Sequence, residues 1–362
     1  MAGDISILFL ADSHLGFDLP VRPRVERRRR GHDFLANYAT ALEPALRGEV
    51  DLVVHGGDVF DRPGVISSLA YQAFEPLIRI ADLGIPVFLV PGNHERSLLP
   101  HLRFAAHPNI HVFDQPRTFV REVRGTRVAV AGLPYERRDV RTRFRGLVEA
   151  SGWSPSCADL HLLCLHHCVE GATVGPANFT FRGAPDVIRP REVPRAFAAV
   201  LSGHIHRHQV LQRDLAARAL DVPILYPGSI ERTSLAEIGE PKGFMVLRAG
   251  GGTELRWEFR PLPAREMIRR EIAVEGMAAP ALEAAIRSVV NDVPADAVLS
   301  IRVTGRLEGE HWKVLSAANL RAIAPPTLNL DVRPEGGFRS GQTRPLGRAG
   351  PSHRRSERGG DR

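Results

Sequence analysis

Residues 5–14 read ISILFLADSH, an apolar strand-like run from Ile5 to Leu10 that ends in the polar cluster Asp12-Ser13-His14. The same junction recurs four more times along the chain. Residues 51–54 lead into Gly57-Asp58-Val59-Phe60-Asp61, and residues 86–90 into Gly92-Asn93-His94-Glu95. Residues 160–165 lead into His166-His167, and residues 198–201 into Gly203-His204-Ile205-His206. In an open α/β sheet, loops at the carboxyl ends of strands converge on one crevice. Five loops carrying carboxylate, imidazole and carboxamide groups therefore read as one site. Its chemistry reads as a pair of metal ions.

Seven candidate ligands follow from these loops: Asp12, His14, Asp58, Asn93, His166, His204 and His206. They offer oxygen and nitrogen but no sulfur, a set suited to Mn²⁺, Fe²⁺ or Zn²⁺ and not to a thiolate-bound structural zinc. Two ions about 3.5–4 Å apart need a shared carboxylate, and Asp58 is the candidate bridge. Without a cation, so many polar groups at strand ends would leave costly unpaired donors and acceptors. Gly57 and Gly92 permit tight turns that a side chain would obstruct.

The ordered set D-x-H, G-D-x-x-D, G-N-H-E, H and G-H-x-H, from Asp12 to His206, resembles the calcineurin-like metallophosphoesterase superfamily. A narrower resemblance lies in Ala11-Asp12-Ser13-His14-Leu15-Gly16 and in Tyr226-Pro227-Gly228-Ser229-Ile230-Glu231-Arg232, which look like segments of SbcD-type DNA repair exonucleases. It extends less clearly to about Pro334, and not into the tail. The resemblance implies an α/β fold: a two-sheet sandwich flanked by helices, followed by a small C-terminal α+β capping domain. It implies two divalent ions, Mn²⁺ foremost, with Fe²⁺, Zn²⁺ and Mg²⁺ as alternatives. One ion takes Asp12, His14, Asp58 and His206; the other takes Asp58, Asn93, His166 and His204.

The resemblance also makes His94 catalytic and not a ligand. An imidazole there can protonate a leaving oxygen or stabilise charge on the phosphate; a supporting hydrogen bond is the plainer role. Asp61 either orients His94 or caps the turn that follows. Neighbouring strand residues point to opposite faces, so one of His166 and His167 faces the site, and the family pattern selects His166. His55 reads as a packed strand residue. The run Arg27-Arg28-Arg29-Arg30 reads either as a phosphate contact or as a solvated helix start, and Arg232 as a phosphate contact or a structural ion pair. Trp312 is the tryptophan to test against DNA.

Apolar periodicity predicts helices over residues 33–46, 67–83 and 139–150, with Ser67 capping the second through its hydroxyl. Short β-rich pieces at 126–133, 223–226, 244–248 and 254–259 suggest a mixed, layered structure. The prolines of Pro261-Leu262-Pro263 mark a boundary. The chain accordingly divides into a nuclease domain over 1–262, a capping domain over 263–334 and a disordered basic tail over 335–362. The middle part reads β-α-β-α-β, with strands at 267–274, 298–303 and 327–332 and helical pieces at 279–290 and 316–322. That order resembles the DNA-contacting cap of SbcD-type nucleases; a generic α+β appendage is the alternative.

The net charge of +7 is weak evidence for a nucleic-acid surface. From residue 335 onward seven arginines oppose three acids, so the tail carries +4 and the body about +3. Cys157, Cys164 and Cys168 form no disulfide framework and read as reduced, with the latter two buried. No apolar run is long enough to span a bilayer and residues 1–10 lack a signal pattern, so a cytoplasmic location is expected.

The reading is a metal-dependent DNA exonuclease or phosphodiesterase of DNA repair. A phosphatase or small-molecule phosphodiesterase on the same metal pair is the first alternative, and a non-catalytic DNA-binding scaffold the second. No Walker lysine motif is present, so no nucleotide cofactor is expected. DNA is the expected partner, with a homodimer and an SbcC-type coiled-coil ATPase as further expectations. The residues after Arg333 show no amphipathic helical pair of the kind through which such an ATPase docks.

Overall fold

A computed structural model of the chain describes residues 4–335, apart from residues 24, 97, 102, 104, 105 and 251–254. The chain divides into two compact units, Met1–Met267 and Ile268–Arg362. The tail expected to be disordered lies, beyond residue 335, outside the described residues.

Alternating burial explains the first unit. In the strand Ile5–Leu10, successive side chains point to opposite faces. Ile5, Ile7 and Phe9 enter one buried cluster and Leu8 and Leu10 another, so the strand is apolar on both sides. Its six-stranded sheet has the order Leu255–Pro261, Gly243–Ala249, Ile5–Leu10, Leu52–His55, Val87–Leu89, Ile110–Val112. From Ile5–Leu10 to Ile110–Val112 the pairing is parallel, and Gly243–Ala249 pairs antiparallel with Ile5–Leu10.

A second six-stranded sheet has the order Gln209–Arg213, Ala219–Tyr226, Ala199–Ser202, Leu160–Leu165, Thr126–Leu133, Arg117–Val123. Its four middle strands are parallel. Phe9, Val54 and Phe88 of the first sheet share a core with Val130, Leu162 and Leu201 of the second, so the sheets pack face to face. The helices Arg30–Leu46 and Ser67–Asp82 cover the outer face of the first sheet, and Val140–Ala150 covers that of the second. The fold is the expected α/β two-sheet sandwich flanked by helices.

The expected Ser67 cap is absent. Ile66 occupies the capping position with no side-chain bond to the helix. Ser67 is the first helical residue, where its hydroxyl is already inside the turn whose amides it was to satisfy.

The second unit has a three-stranded sheet in the order Met267–Ala273, Val298–Thr304, Asn329–Pro334. The helices Ala279–Asn291, Gly309–Val314 and Ala317–Ile323 accompany it, the middle one being additional to the β-α-β-α-β reading. Ile268, Leu282, Ile286, Leu299 and Ile301 form its own core. Trp312 is partly buried against that core. Residues 263–267 stay with the first unit: Asn37 Nδ2 donates to Pro263 O at 3.1 Å, and Arg265 pairs with Asp33 at 2.5 Å. Among the described residues, no helix is long and apolar enough to cross a membrane.

Candidate metal centre

All seven candidate ligands lie just past the carboxyl ends of parallel strands, three strands from the first sheet and two from the second. Backbone bonds lace the first two loops together. Asp12 N donates to Gly57 O at 2.9 Å, His14 N to Asp58 O at 3.0 Å, and Leu15 N to Val59 O at 2.8 Å. Asp12, His14, Asp58 and His204 have φ values of 50°, 42°, 53° and 81°. A residue with a Cβ enters that left-handed region at a cost, and such outliers cluster at functional sites. The strain falls on four of the seven candidate ligands.

The side chains meet. Asp58 Oδ2 is 3.2 Å from His166 Nε2, 3.9 Å from His14 Nε2 and 4.0 Å from His94 Nε2. Asn93 Oδ1 is 3.0 Å from His166 Nε2 and 2.7 Å from His204 Nδ1. His14 Nε2 and His206 Nε2 approach to 3.0 Å. The backbone N–H of His204 donates to both oxygens of Asp12, at 3.0 and 3.1 Å. Three triplets offer ligand atoms within 4.8 Å of one another: Asp12, His14 and His206; Asp12, Asp58 and His166; His14, Asp58 and His94.

Hydrogen-bond chemistry tests whether these residues suit cations. His166 Nδ1 is 2.7 Å from Gly56 O, which only accepts. Nδ1 therefore carries a proton and Nε2 faces the site. His14 Nδ1 is buried without a hydrogen-bond partner. Ring nitrogens, carboxylates and a carboxamide oxygen thus converge in a space where Asp12 and His166 are fully buried. Burial pushes the Asp12 carboxyl up to about 6, despite nearby His166 and His206. Burial opposes charge on His166, yet Asp58 and Asp12 beside it push the imidazole up to about 9. A converging set of acceptors held together by displaced protons is the donor chemistry of divalent cations, whose binding releases such protons. The residues fit a dinuclear centre.

His94 stands apart in exposure, with 38% of its side chain accessible. Its backbone N–H donates to Asp58 Oδ1 at 2.9 Å, and its Nδ1 is 2.8 Å from the carbonyl oxygen of Asp61. Asp61 thus meets His94 through its backbone. Its carboxylate lies instead 3.3 Å from Arg62 Nε and 3.9 Å from His14 Nδ1. His167 turns away: its Nε2 accepts from Glu136 N at 2.8 Å and its ring stacks on Tyr135.

Several supporting residues escaped the sequence reading. Glu95 is buried and accepts from Gly92 N at 2.7 Å and Phe60 N at 2.8 Å, tying two ligand loops together. Burial, and then the charge of Asp58, push its carboxyl up to about 8. The G-N-H-E motif contained this residue without a role for it. His55 is more than a packed strand residue. Its Nδ1 accepts from Gly57 N at 3.2 Å, so its Nε2–H donates to Ser13 Oγ at 2.8 Å. Glu237 and Lys242 stand behind His206, where no motif pointed.

The basic run and Arg232 are largely paired within the protein. Arg28 pairs with Asp33 at 2.9 Å, Arg29 with Asp18, and Arg30 lies 3.6 Å from Glu231. Arg232 is buried, 3.1 Å from Glu231, and donates to Arg265 O at 2.6 Å. Tyr226 of the same segment donates from its hydroxyl to His167 O at 3.0 Å. That segment braces the site; Arg232 has the structural role of its two readings.

Glycines make the crowding possible. A Cβ on Gly57 would lie 2.3 Å from His166 Nδ1, and one on Gly92 would lie 2.1 Å from Asp58 Oδ1. Gly57 also has φ of 101°. Gly57→Ala is therefore expected to displace His166 and lower metal content together with the melting temperature. Unchanged metal content by elemental analysis would contradict this.

Two packed sheets whose strand ends gather such ligands define a metal-dependent phosphoester hydrolase. Residues 5–208 match the family described as calcineurin-like phosphoesterase, and the chain belongs to that family. Among curated relatives it is 24% identical over 285 residues to YhaO of Bacillus subtilis, named an uncharacterized metallophosphoesterase, covering 76% of this chain and 64% of that one. It is 26% identical over 283 residues to the DNA double-strand break repair protein Mre11 of Aeropyrum pernix, covering 74% and 63%. The chain thus spans just under two thirds of the length of these relatives. Solved structures with a similar outline include TT1561 of Thermus thermophilus, with a TM-score of 0.43 and 13% identity over 70% of this chain and 98% of that one. A dimetal phosphatase from Danio rerio has a TM-score of 0.40 and 12% identity over 70% and 98%.

Proposed function

We propose that this protein is a DNA phosphodiesterase of the SbcD-like exonuclease type, working on broken or processed DNA ends in repair. The convergence of the seven ligands around Asp58, with His94 exposed beside them, is the observation that carries the hydrolytic part. Likeness to proteins named for double-strand break repair supports DNA as the substrate.

Two divalent ions, Mn²⁺ foremost, would be held by Asp12, His14, Asp58 and His206 and by Asp58, Asn93, His166 and His204. Bound there, they supply Lewis-acid charge to the phosphate and make water acidic enough to act as a nucleophile near neutral pH. The protein's own part is positional. Asp58 and Asn93 each link side chains from separate loops, so the five loops act as one unit. His94 donates from Nδ1 to the Asp61 carbonyl, which leaves Nε2 to face the substrate. When protonated, Nε2–H donates to the departing oxygen. The buried Glu95 and His55 hold the loops that carry these groups.

The test is a Mn²⁺-dependent assay comparing linear duplex, hairpin and single-stranded DNA with cyclic nucleotides and phosphomonoesters. Preferential hydrolysis of DNA supports the reading. Hydrolysis of phosphomonoesters or cyclic nucleotides with no action on DNA replaces it with a phosphatase or small-molecule phosphodiesterase. Binding of DNA without hydrolysis of any substrate would leave a scaffold.

The second unit is proposed as the DNA-contacting cap. All seven ligands precede Met267, and the second unit has its own core. Removing residues from 268 onward is expected to spare hydrolysis of a small chromogenic phosphodiester while weakening cleavage of long DNA. Cutting at 263 would also delete Arg265, the buried partner of Asp33. Equal loss of both activities in a folded truncation would contradict the division of labour. A homodimer and a coiled-coil ATPase partner belong to the same proposal, tested by light scattering and by co-purification.

A further inference from the structure

We propose that Glu237 is the positioning residue for His206, and that with Lys242 it makes the half of the centre built on Asp12, His14 and His206 the tighter metal site. The inference rests on the dinuclear reading above.

Lys242 is a fully buried lysine, and an ammonium group out of water must find a partner for every proton. It does so. Nζ is 2.7 Å from Glu237 Oε2, 3.2 Å from Glu240 Oε2, and donates to the carbonyl oxygen of His206 at 2.8 Å. Three donors meet three acceptors, which fixes both the ammonium and the backbone of His206. The other oxygen of Glu237, Oε1, accepts from Thr233 Oγ1 at 2.7 Å and from Ser234 Oγ at 3.2 Å. Glu237 is therefore an anion held in place on both sides.

This arrangement decides the His206 tautomer. Thr233 has one hydroxyl proton, and it goes to Glu237. Toward His206 Nδ1, 3.2 Å away, the hydroxyl oxygen can only accept. Glu237 Oε1, at 3.5 Å from the same nitrogen, can only accept as well. Nδ1 therefore carries the proton, and the Nε2 lone pair is turned toward Asp12 and His14.

The comparison within the site is what singles His206 out. The corresponding outer nitrogen of His166 meets the neutral carbonyl of Gly56, and that of His14 has no hydrogen-bond partner. An anionic partner raises the basicity of a ligating imidazole and locks its orientation, and losing one typically weakens metal affinity by about 10–100-fold. Of these three histidines, His206 alone has a carboxylate within hydrogen-bond distance of its outer nitrogen, at 3.5 Å; the Asp61 carboxylate stays 3.9 Å from His14 Nδ1. His206 belongs to one half of the centre, so the two ions should bind with unequal strength.

The experiment is a titration of the metal-free full chain with Mn²⁺, followed by calorimetry and by equilibrium dialysis. Wild-type protein is expected to take up two ions in two resolved steps. Glu237→Gln is expected to weaken the tighter step by about 10–100-fold and leave the weaker step unchanged. His206→Asn should remove the same step. The paired variant Glu237→Gln/Lys242→Met, which leaves no unmatched ammonium, is expected to show the same shift if the single variant folds poorly. Melting of the metal-free proteins separates a loss of stability from a loss of affinity. Two unchanged steps, or two steps weakened alike, would overturn the role of Glu237. Fewer than two ions on wild-type protein would overturn the dinuclear reading, and this inference with it.

Discussion

Asp58→Ala is expected to empty both halves of the metal centre at once and to reduce phosphodiester hydrolysis to background. Asp58 Oδ2 lies within 4.0 Å of ring nitrogens from His14, His94 and His166, side chains carried by three different loops. Its other oxygen accepts from the backbone of His94 at 2.9 Å. Asp12 also comes within 4.0 Å of His166 Nε2, but both of its oxygens already accept from the amide of His204. The substitution also removes the charge that most favours the imidazolium of His166, leaving Asp12 and the Gly56 carbonyl to offset burial. Elemental analysis after dialysis should find neither ion retained. One ion retained at wild-type affinity would mean that the carboxylate is not a bridge.

His94→Asn should have the opposite character: a loss of turnover with both ions in place. The ring is more exposed than that of His206, 38% against 26%, and the Asp61 carbonyl fixes which nitrogen faces outward. General acid assistance is typically worth about 10²–10⁴-fold, so the defect should fall on turnover and spare DNA binding. His204→Asn, by contrast, should lower metal occupancy and activity together, because its Nδ1 meets Asn93 Oδ1 at 2.7 Å. The triplet of His14, Asp58 and His94 makes the comparison a strict one. If His94→Asn loses as much metal as His204→Asn, His94 is a ligand; if it keeps full activity, it has no catalytic role.

What the sequence disclosed, and what it concealed, follows the range of the interactions involved. The strands Ile5–Leu10, Thr126–Leu133 and Leu160–Leu165 match their sequence-read limits because an apolar run and its terminating polar cluster are local signals. The five loops were legible for the same reason, and topology then brought them together.

The supporting residues were hidden because their partners are distant along the chain. Glu237 and Lys242 follow His206 by 31 and 36 residues, through a turn whose return no periodicity announces. Arg30 meets Glu231 across 201 positions, so the run from Arg27 to Arg30 stayed divided between phosphate contact and helix start. Helix Gly309–Val314 spans six residues, too few to show a helical period. The Ser67 cap failed by one residue, which is the usual margin at a helix end. Glu95 was in plain view inside a motif, and only its two backbone donors, from separate loops, show what it holds.

Anomalous diffraction from crystals of the protein soaked in Mn²⁺ tests the dinuclear site most directly. Two peaks are expected, one ringed by Asp12, His14, Asp58 and His206, the other by Asp58, Asn93, His166 and His204, with Asp58 common to both and His94 bound to neither. A single peak, or one coordinated by His94, would contradict it.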